Sequence, residues 1–253
     1  MIKRYTCNVS YLVLSILLLT ATAGQSQTSR FADEHINRGN ALYDKGDLDG
    51  AIVEYDRAIA LNPKQAYYYF NRGNARKDKG DFDKAISDYE KALSLDLKVP
   101  EVYNNRGAAR LGKEDLDGAI SDFSKALSLK PDHANAYNNR GYARQQNGDV
   151  DGALGDYEKA ISINPNDAYF YNNRGSARLA RGDLTGASID LNKSIVLDQN
   201  NAEAYCNRAL VELTQMRDAD AQRDFRKCYD LDSRLRSRFE KKMDAIKLGR
   251  KVP

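Results

Sequence analysis

Residues 137–165 read YNNRGYARQQNGDVDGALGDYEKAISINP, which spells a helix, a tight turn, a second helix and a stop. Gly148 tolerates the left-handed conformation that ends a first helix, and Asp149 is suited to cap a second. Pro165 ends it, because proline lacks an amide donor and restricts Asn164 before it. The same punctuation stands at Gly46-Asp47, Gly80-Asp81 and Gly182-Asp183, and at Asn62-Pro63 and Lys130-Pro131. One copy shows the helical stripe most fully. Leu116, Ala119, Ile120, Phe123, Ala126 and Leu127 fall at i, i+3, i+4, i+7, i+10 and i+11, where a strand would alternate.

The unit repeats. Asn139-Arg140-Gly141 has counterparts at Asn37-Arg38-Gly39, Asn71-Arg72-Gly73, Asn105-Arg106-Gly107, Asn173-Arg174-Gly175 and, decayed, Asn207-Arg208-Ala209, each 34 residues after the last. The register also brings Ala51, Ala85, Ala119, Ala153, Ala187 and Ala221, then Tyr55, Tyr89, Phe123, Tyr157, Leu191 and Phe225. An aromatic precedes each triplet at Tyr69, Tyr103, Tyr137, Tyr171 and Tyr205, with His35 in that slot of the first copy. In period and slots the chain resembles the tetratricopeptide repeat family. The resemblance implies an all-α, right-handed α-solenoid of stacked helix-turn-helix repeats. Six units are expected at 32–65, 66–99, 100–133, 134–167, 168–201 and 202–235. A lone hairpin buries too little apolar area to offset about 1–2 kcal/mol of backbone entropy per residue, so neighbours must supply the second wall. Gly107 against Ala119 is the expected close approach within a hairpin.

One slot departs from the family pattern. Before the Gly, where the family usually carries a large apolar residue, every unit has Arg, and four add a second at Arg76, Arg110, Arg144 and Arg178. Each second helix holds an acid at one fixed place: Glu54, Asp88, Asp122, Asp156, Asp190 and Asp224. The matched offsets predict a ladder of ion pairs, within a unit or across to its neighbour, since an unpaired Arg near a core is strongly unfavourable. Two solvated charged faces that never meet are the alternative.

In the family, first helices line a concave groove that takes extended peptides or helices. Asn37, Asn71, Asn105, Asn139, Asn173 and Asn207 match an Asn slot that grips peptide backbone in some relatives. A carboxamide both donates and accepts, which suits it to that role and equally to bonding a neighbouring repeat's backbone. Beside the row stand Tyr67, Phe70 and Asn74, then Asn104, Asn138 and Tyr142, as candidate peptide-contacting residues. Tyr67 and Phe70 are either an anchor pocket or core aromatics. The carboxylate-gripping frame of cochaperone relatives keeps its asparagines here but lacks its cations: the first frame falls on Ile36, Asn40, Asn71, Glu101 and Asn105.

Of 253 residues, 42% are hydrophobic and 30% charged, against a disordered or polytopic membrane chain. Two histidines (His35, His133), three cysteines and no Trp leave no zinc cluster, disulfide scaffold or His-based catalytic set. The expected class is therefore a noncatalytic scaffold without cofactor or metal. A net charge of +3 selects no nucleic acid. Cys206 and Cys228 lie on opposite helices of the last unit. They fill small slots as half-buried thiols unless their Cα atoms come within about 7 Å.

The two ends stand apart from the repeats. Lys3 and Arg4, an apolar run over residues 11–19 and Ala21-Thr22-Ala23 read as a signal peptide cut after Ala23, with an uncleaved anchor as the alternative. The expected destination is periplasmic or secreted, after a linker at 24–31. Residues 234–253 carry eight Lys/Arg against Glu240 and Asp244. Leu235, Phe239, Met243 and Ile246 fall at helical spacing there, so 236–253 reads as a capping helix and tail. The alternative is an envelope structural or surface-association protein, in which the same segment docks on an anionic surface.

Overall fold

The computed structural model describes residues 28–249. The expected signal peptide lies outside them. Residues 28–31, read as the end of a linker, are already helical. Helix α1 covers residues 28–44, and α2 (Leu48–Leu61), α3 (Ala66–Lys79), α4 (Phe82–Ser94) and α5 (Pro100–Gly112) complete a first unit. A second unit holds α6 (Leu116–Leu129), α7 (Ala134–Gln146), α8 (Val150–Ile163), α9 (Ala168–Arg181) and α10 (Leu184–Leu197). It continues with α11 (Ala202–Thr214), α12 (Asp218–Leu231), a 3₁₀ turn (Ser233–Leu235) and α13 (Arg236–Gly249). No strand occurs among the described residues. Within each unit a helix packs on its sequence neighbours, and first helices also touch the next first helix, α3 on α5, α7 on α9 and α9 on α11. Each unit is thus a file of helical hairpins.

The turns follow the sequence closely. Gly46, Gly80, Gly148 and Gly182 are all left-handed, and at the two turns without Gly the position is forced on Glu114 (φ 62°) and Met216 (φ 63°). Asp47, Asp115, Asp149 and Asp183 accept from the amide of the glycine three residues on. Asp81 makes no such bond. The reason is visible at the third position: a Cβ on Gly152 would lie 2.1 Å from Asp149 Oδ2, and Lys84 stands where the four capped copies have Gly.

Packing inside a hairpin sets a triplet glycine against an aromatic ring. A Cβ on Gly73 would lie 2.8 Å from Tyr89, and one on Gly141 would lie 2.9 Å from Tyr157 and 3.2 Å from the Ala153 carbonyl. At Gly141 the backbones approach through the slot pair expected of Gly and Ala, and the glycine also makes room for the ring. Tyr55, Tyr89 and Tyr157 are fully buried there.

The arginines and acids meet. Asp156, 3% exposed, accepts from Arg140 at 2.9 and 2.6 Å and from Arg144 at 2.7 Å. Asp88 takes Arg72 and Arg76, Asp190 takes Arg174 and Arg178, and Asp224 takes Arg208 in the same way. The same guanidinium reaches back to the preceding hairpin, Arg72 to Asp56, Arg140 to Ser124 and Arg208 to Asn192. It also lies over the aromatic three residues earlier, as Arg140 does over Tyr137 at 5.5 Å. The bonds run both within a hairpin and between hairpins, and bidentate geometry with a ring beneath it is a job that Lys would not do.

At the C-terminal end, Cys206 and Cys228 are fully buried and joined as a disulfide, with Cα atoms 5.4 Å apart. This corrects the expectation of two half-buried thiols: the α11–α12 crossing brings the pair inside bonding range. Around it, Phe239, Leu235, Met243 and Ile246 close the apolar end of the last hairpin. Helix α13 therefore caps the stack, as its spacing implied. It also keeps the 34-residue register, with Phe239 in the slot of Tyr205.

Candidate functional site

The triplet asparagines bond mainly to one another's neighbours along the inner row, through side chains rather than the backbone expected as the alternative. Asn71 donates to Asn40 at 3.2 Å and Asn105 to Asn74 at 2.9 Å. In the second unit Asn173 donates to Asn138 and Asn207 to Asn172, both at 2.9 Å. The acceptor slot changes along the chain, for a reason written in the residues. Three positions after the triplet Asn stand Asn40 and Asn74 early, but Tyr142 and Ser176 later. One position before it stand Ile36 and Phe70 early, but Asn138 and Asn172 later. In the first five copies, wherever one slot lacks a carboxamide the other supplies it; in the sixth both are apolar, Cys206 and Leu210.

Buried tyrosines finish the early network. Tyr55 donates to Asn40 at 2.9 Å and Tyr89 to Asn74 at 2.8 Å. Burial pushes the Tyr55 phenol up to about 12, so it stays a donor. In the second unit Tyr157 donates to Gln145 instead, at 3.0 Å. Each bond uses one N–H or one lone pair of a carboxamide, and a carboxamide has two of each.

The network borders two clefts. One, of about 220 Å³ in the first unit, is lined by Asn40, Tyr43, Tyr55, Asn71 and Asn74. Tyr43 donates to Asp78 beside it. The other, of about 260 Å³ in the second unit, is lined by Tyr142, Gln145, Gln146, Asn172, Asn173, Ser176 and Asn207 on α7, α9 and α11. Helix α13 adds Arg238, Phe239 and Lys242 to its wall, and Glu203 completes it. The wall is polar and offers donors and acceptors in file, with no nucleophile paired to a base.

The candidate residues divide accordingly. Asn71 and Asn74 share the first cleft; Tyr142, Asn173 and Asn207 share the second. Asn138 accepts from Asn173, and Asn104 donates to Asn105 at 3.1 Å. Asn37 is exposed, and Asn139 is half-buried. Tyr67 stands out in solvent, whereas Phe70 is packed with Tyr89 in the core, ring centroids 6.1 Å apart. For Phe70 the core explanation holds. Gln145, Ser176, Glu203, Arg238 and Lys242 were not anticipated; the register that puts Phe239 in an aromatic slot was the available signal for α13.

Comparison with known proteins accords with this architecture. A TPR repeat model matches residues 39–80 and 110–148, and two tetratricopeptide repeat models match 66–97 with 134–167, and 156–187. Together they span more than half of the chain. No curated protein matches it. Among solved structures, MamA is 27% identical with a TM-score of 0.59, over 68% of this chain and 94% of that one. YrrB, described as a TPR protein with an unusual peptide-binding site, is 23% identical with a TM-score of 0.58, over 72% and 94%. PilF of Pseudomonas aeruginosa is 17% identical with a TM-score of 0.69, over 83% and 94%. Repeat register, hairpin packing and these matches agree, and the chain belongs to the tetratricopeptide repeat family, whose fold generally serves noncatalytic protein interaction.

Proposed function

We propose that the protein is a noncatalytic scaffold that holds an extended peptide or protein segment against the inner faces of its first helices. The observation that carries this reading is the polar cleft on α7, α9 and α11, whose accessible wall is Tyr142, Gln145, Gln146, Asn173 and Ser176, held over a row of bonded carboxamides in which Asn172 and Asn207 are buried. Such a wall matches a peptide backbone, whose amides alternate donor and acceptor. Selection of displayed random peptides against the full chain, followed by titration of the winners, tests it. Tyr142→Ala should weaken binding about tenfold, while Ile189→Ala, exposed on a second helix, should not. Winners indifferent to every cleft substitution would overturn the reading.

The surface-association alternative has less to stand on, because α13 spends its apolar face on the last hairpin, Phe239 being only 1% exposed. Export to the periplasm or medium is part of the proposal. Its supports are the residues at 1–23 and the buried Cys206–Cys228 bridge, which suits an oxidising compartment. No helix among the described residues is long and apolar enough to cross a membrane. The mass of the mature N-terminus decides between cleavage after Ala23 and a retained anchor.

A further inference from the structure

A covalent link lies beneath the cap of the stack. Cys206 on α11 and Cys228 on α12 are joined, and both are fully buried. The apolar cluster that buries them draws on α11, α12 and α13, the last through Phe239, with Met243 and Ile246 packed beside it. Thiol–disulfide exchange needs a thiolate to reach one sulfur of a bridge, and neither sulfur here is open to solvent. Something must move first. Helix α11 is packed on α9 and α10 behind it, whereas α13 is the terminal element, and chain ends open at the least cost. Helix α13 is also seated against a penalty. Arg236, its first residue, lies 4.5 Å over the Tyr229 ring, and the Tyr229 hydroxyl is buried with no hydrogen-bond partner among the described residues, a cost that water relieves once α13 lifts.

Packing couples the two events in the other direction as well. Reduction turns the bridge into two thiols that no bond draws together, in a close-packed space without room to spare, and overpacking of that kind is unfavourable. Lifting α13 relieves it. We infer that α13 and the Cys206–Cys228 bridge form a redox-gated cap: the bridge closes and opens only with α13 lifted, and α13 seats fully only over the bridged hairpin. Closing forms the bond between the two Sγ atoms, releases both thiol protons and passes two electrons to the disulfide of an exchange partner, which leaves as a dithiol. A dithiol reductant runs the same steps backwards. Because Arg238 and Phe239 of α13 also wall the cleft of the second unit, the bridged chain presents that wall complete and the reduced chain does not.

The test follows reduction of the full oxidised chain by dithiothreitol, with free thiols trapped by alkylation and the Cys206 and Cys228 peptides weighed. Phe239→Ala strips the apolar contact of α13 and leaves α11 and α12 unaltered, so it should speed reduction by about tenfold or more. Glu203→Gln removes only the pair with Arg238 and should speed it less, in the same direction, which keeps the test open if Phe239→Ala unfolds the last hairpin. Asp156→Ala, which weakens α7 and α8 instead, should leave the rate within about twofold of the parent. Hydrogen exchange supplies a second readout: after reduction the α13 amides should lose protection while those of α9 and α10 keep theirs. If the parent bridge is reduced as fast as in a urea-denatured chain, if neither cap variant accelerates reduction, or if Asp156→Ala accelerates it equally, the bridge opens without the cap and the inference falls. Unchanged α13 protection in the reduced chain overturns it as well. No readout involves a ligand, so such a failure leaves the groove reading standing.

Discussion

Replacing Asp156 by Ala should destabilise the second unit far more than replacing any exposed acid. Asp156 is buried and receives three charge-assisted bonds, from Arg140 at 2.9 and 2.6 Å and from Arg144 at 2.7 Å. The side chains of those arginines are 17% and 28% exposed, so without Asp156 two half-buried guanidiniums lose their shared buried acid, Arg140 keeping only Ser124 and Arg144 only the more exposed Asp149 at 3.7 Å and the Gly152 carbonyl. Breaking a buried pair from one side costs about 3–5 kcal/mol. The control is Asp151, whose bond to Arg181 is 3.0 Å long but whose side chain is 84% exposed; Asp151→Ala should cost about 0–1 kcal/mol. Urea unfolding followed by circular dichroism measures both. Hydrogen exchange localises the first loss to α7 and α8, since a repeat array opens locally. A third variant separates pairing from packing: Arg140→Met, Arg144→Met and Asp156→Leu together should recover most of the loss, because apolar replacement of a whole buried ionic set is often neutral. If Asp156→Ala costs no more than Asp151→Ala, the ladder contributes nothing beyond surface charge and the reasoning fails.

Reduction of the Cys206–Cys228 bridge, which closes a loop of 22 residues' separation, should lower stability by about 3 kcal/mol. Melts with and without reductant, checked against Cys206→Ser, read this directly; superimposable melts would show that the bridge is idle. Gly152→Ala should lose the Asp149 cap, a cost of about 1 kcal/mol, whereas Gly155→Ala on the same helix, with open space around it, should be neutral or stabilising. Glu54 is held below the ordinary glutamate range by its bond to His35 and then by Arg38 and Arg57. Its folded pKa is depressed, so its stabilisation is present above the unfolded value and disappears as pH falls through the folded one. Glu54→Gln should therefore have a lower urea midpoint than the parent chain at neutral pH, with the gap closing on acidification; a gap that widens in acid would contradict the assignment.

Much of this architecture could be read from residues because it depends on neighbours in sequence. The helical stripe, the left-handed glycine and the capping Asp all act over three or four positions. Even the exception at Asp81 is legible, since Lys84 occupies the place of a glycine. The ion-pair ladder was readable for a related reason: in a strict 34-residue register, an Arg and an acid 16 residues apart are brought together again, at Arg38–Glu54, Arg72–Asp88, Arg140–Asp156, Arg174–Asp190 and Arg208–Asp224. The alternation of carboxamides between two slots was equally open to inspection, at Asn40 and Asn74, then Asn138 and Asn172. It has meaning only once the distance between successive first helices is known.

Residue order alone therefore determined a file of helical hairpins, their turns, their buried charges and a basic helix at the end. The tertiary structure decided what that order leaves open. It turned the asparagines toward one another, committed Phe70 to the core, joined Cys206 to Cys228, and swung Arg238 and Lys242 into the cleft. The physical reason is one of range. Helix and turn formation are governed by contacts a few residues long, whereas the meeting of α13 with α7, α9 and α11 depends on how hairpins stack, and small changes in that stacking move a side chain from solvent into a binding wall.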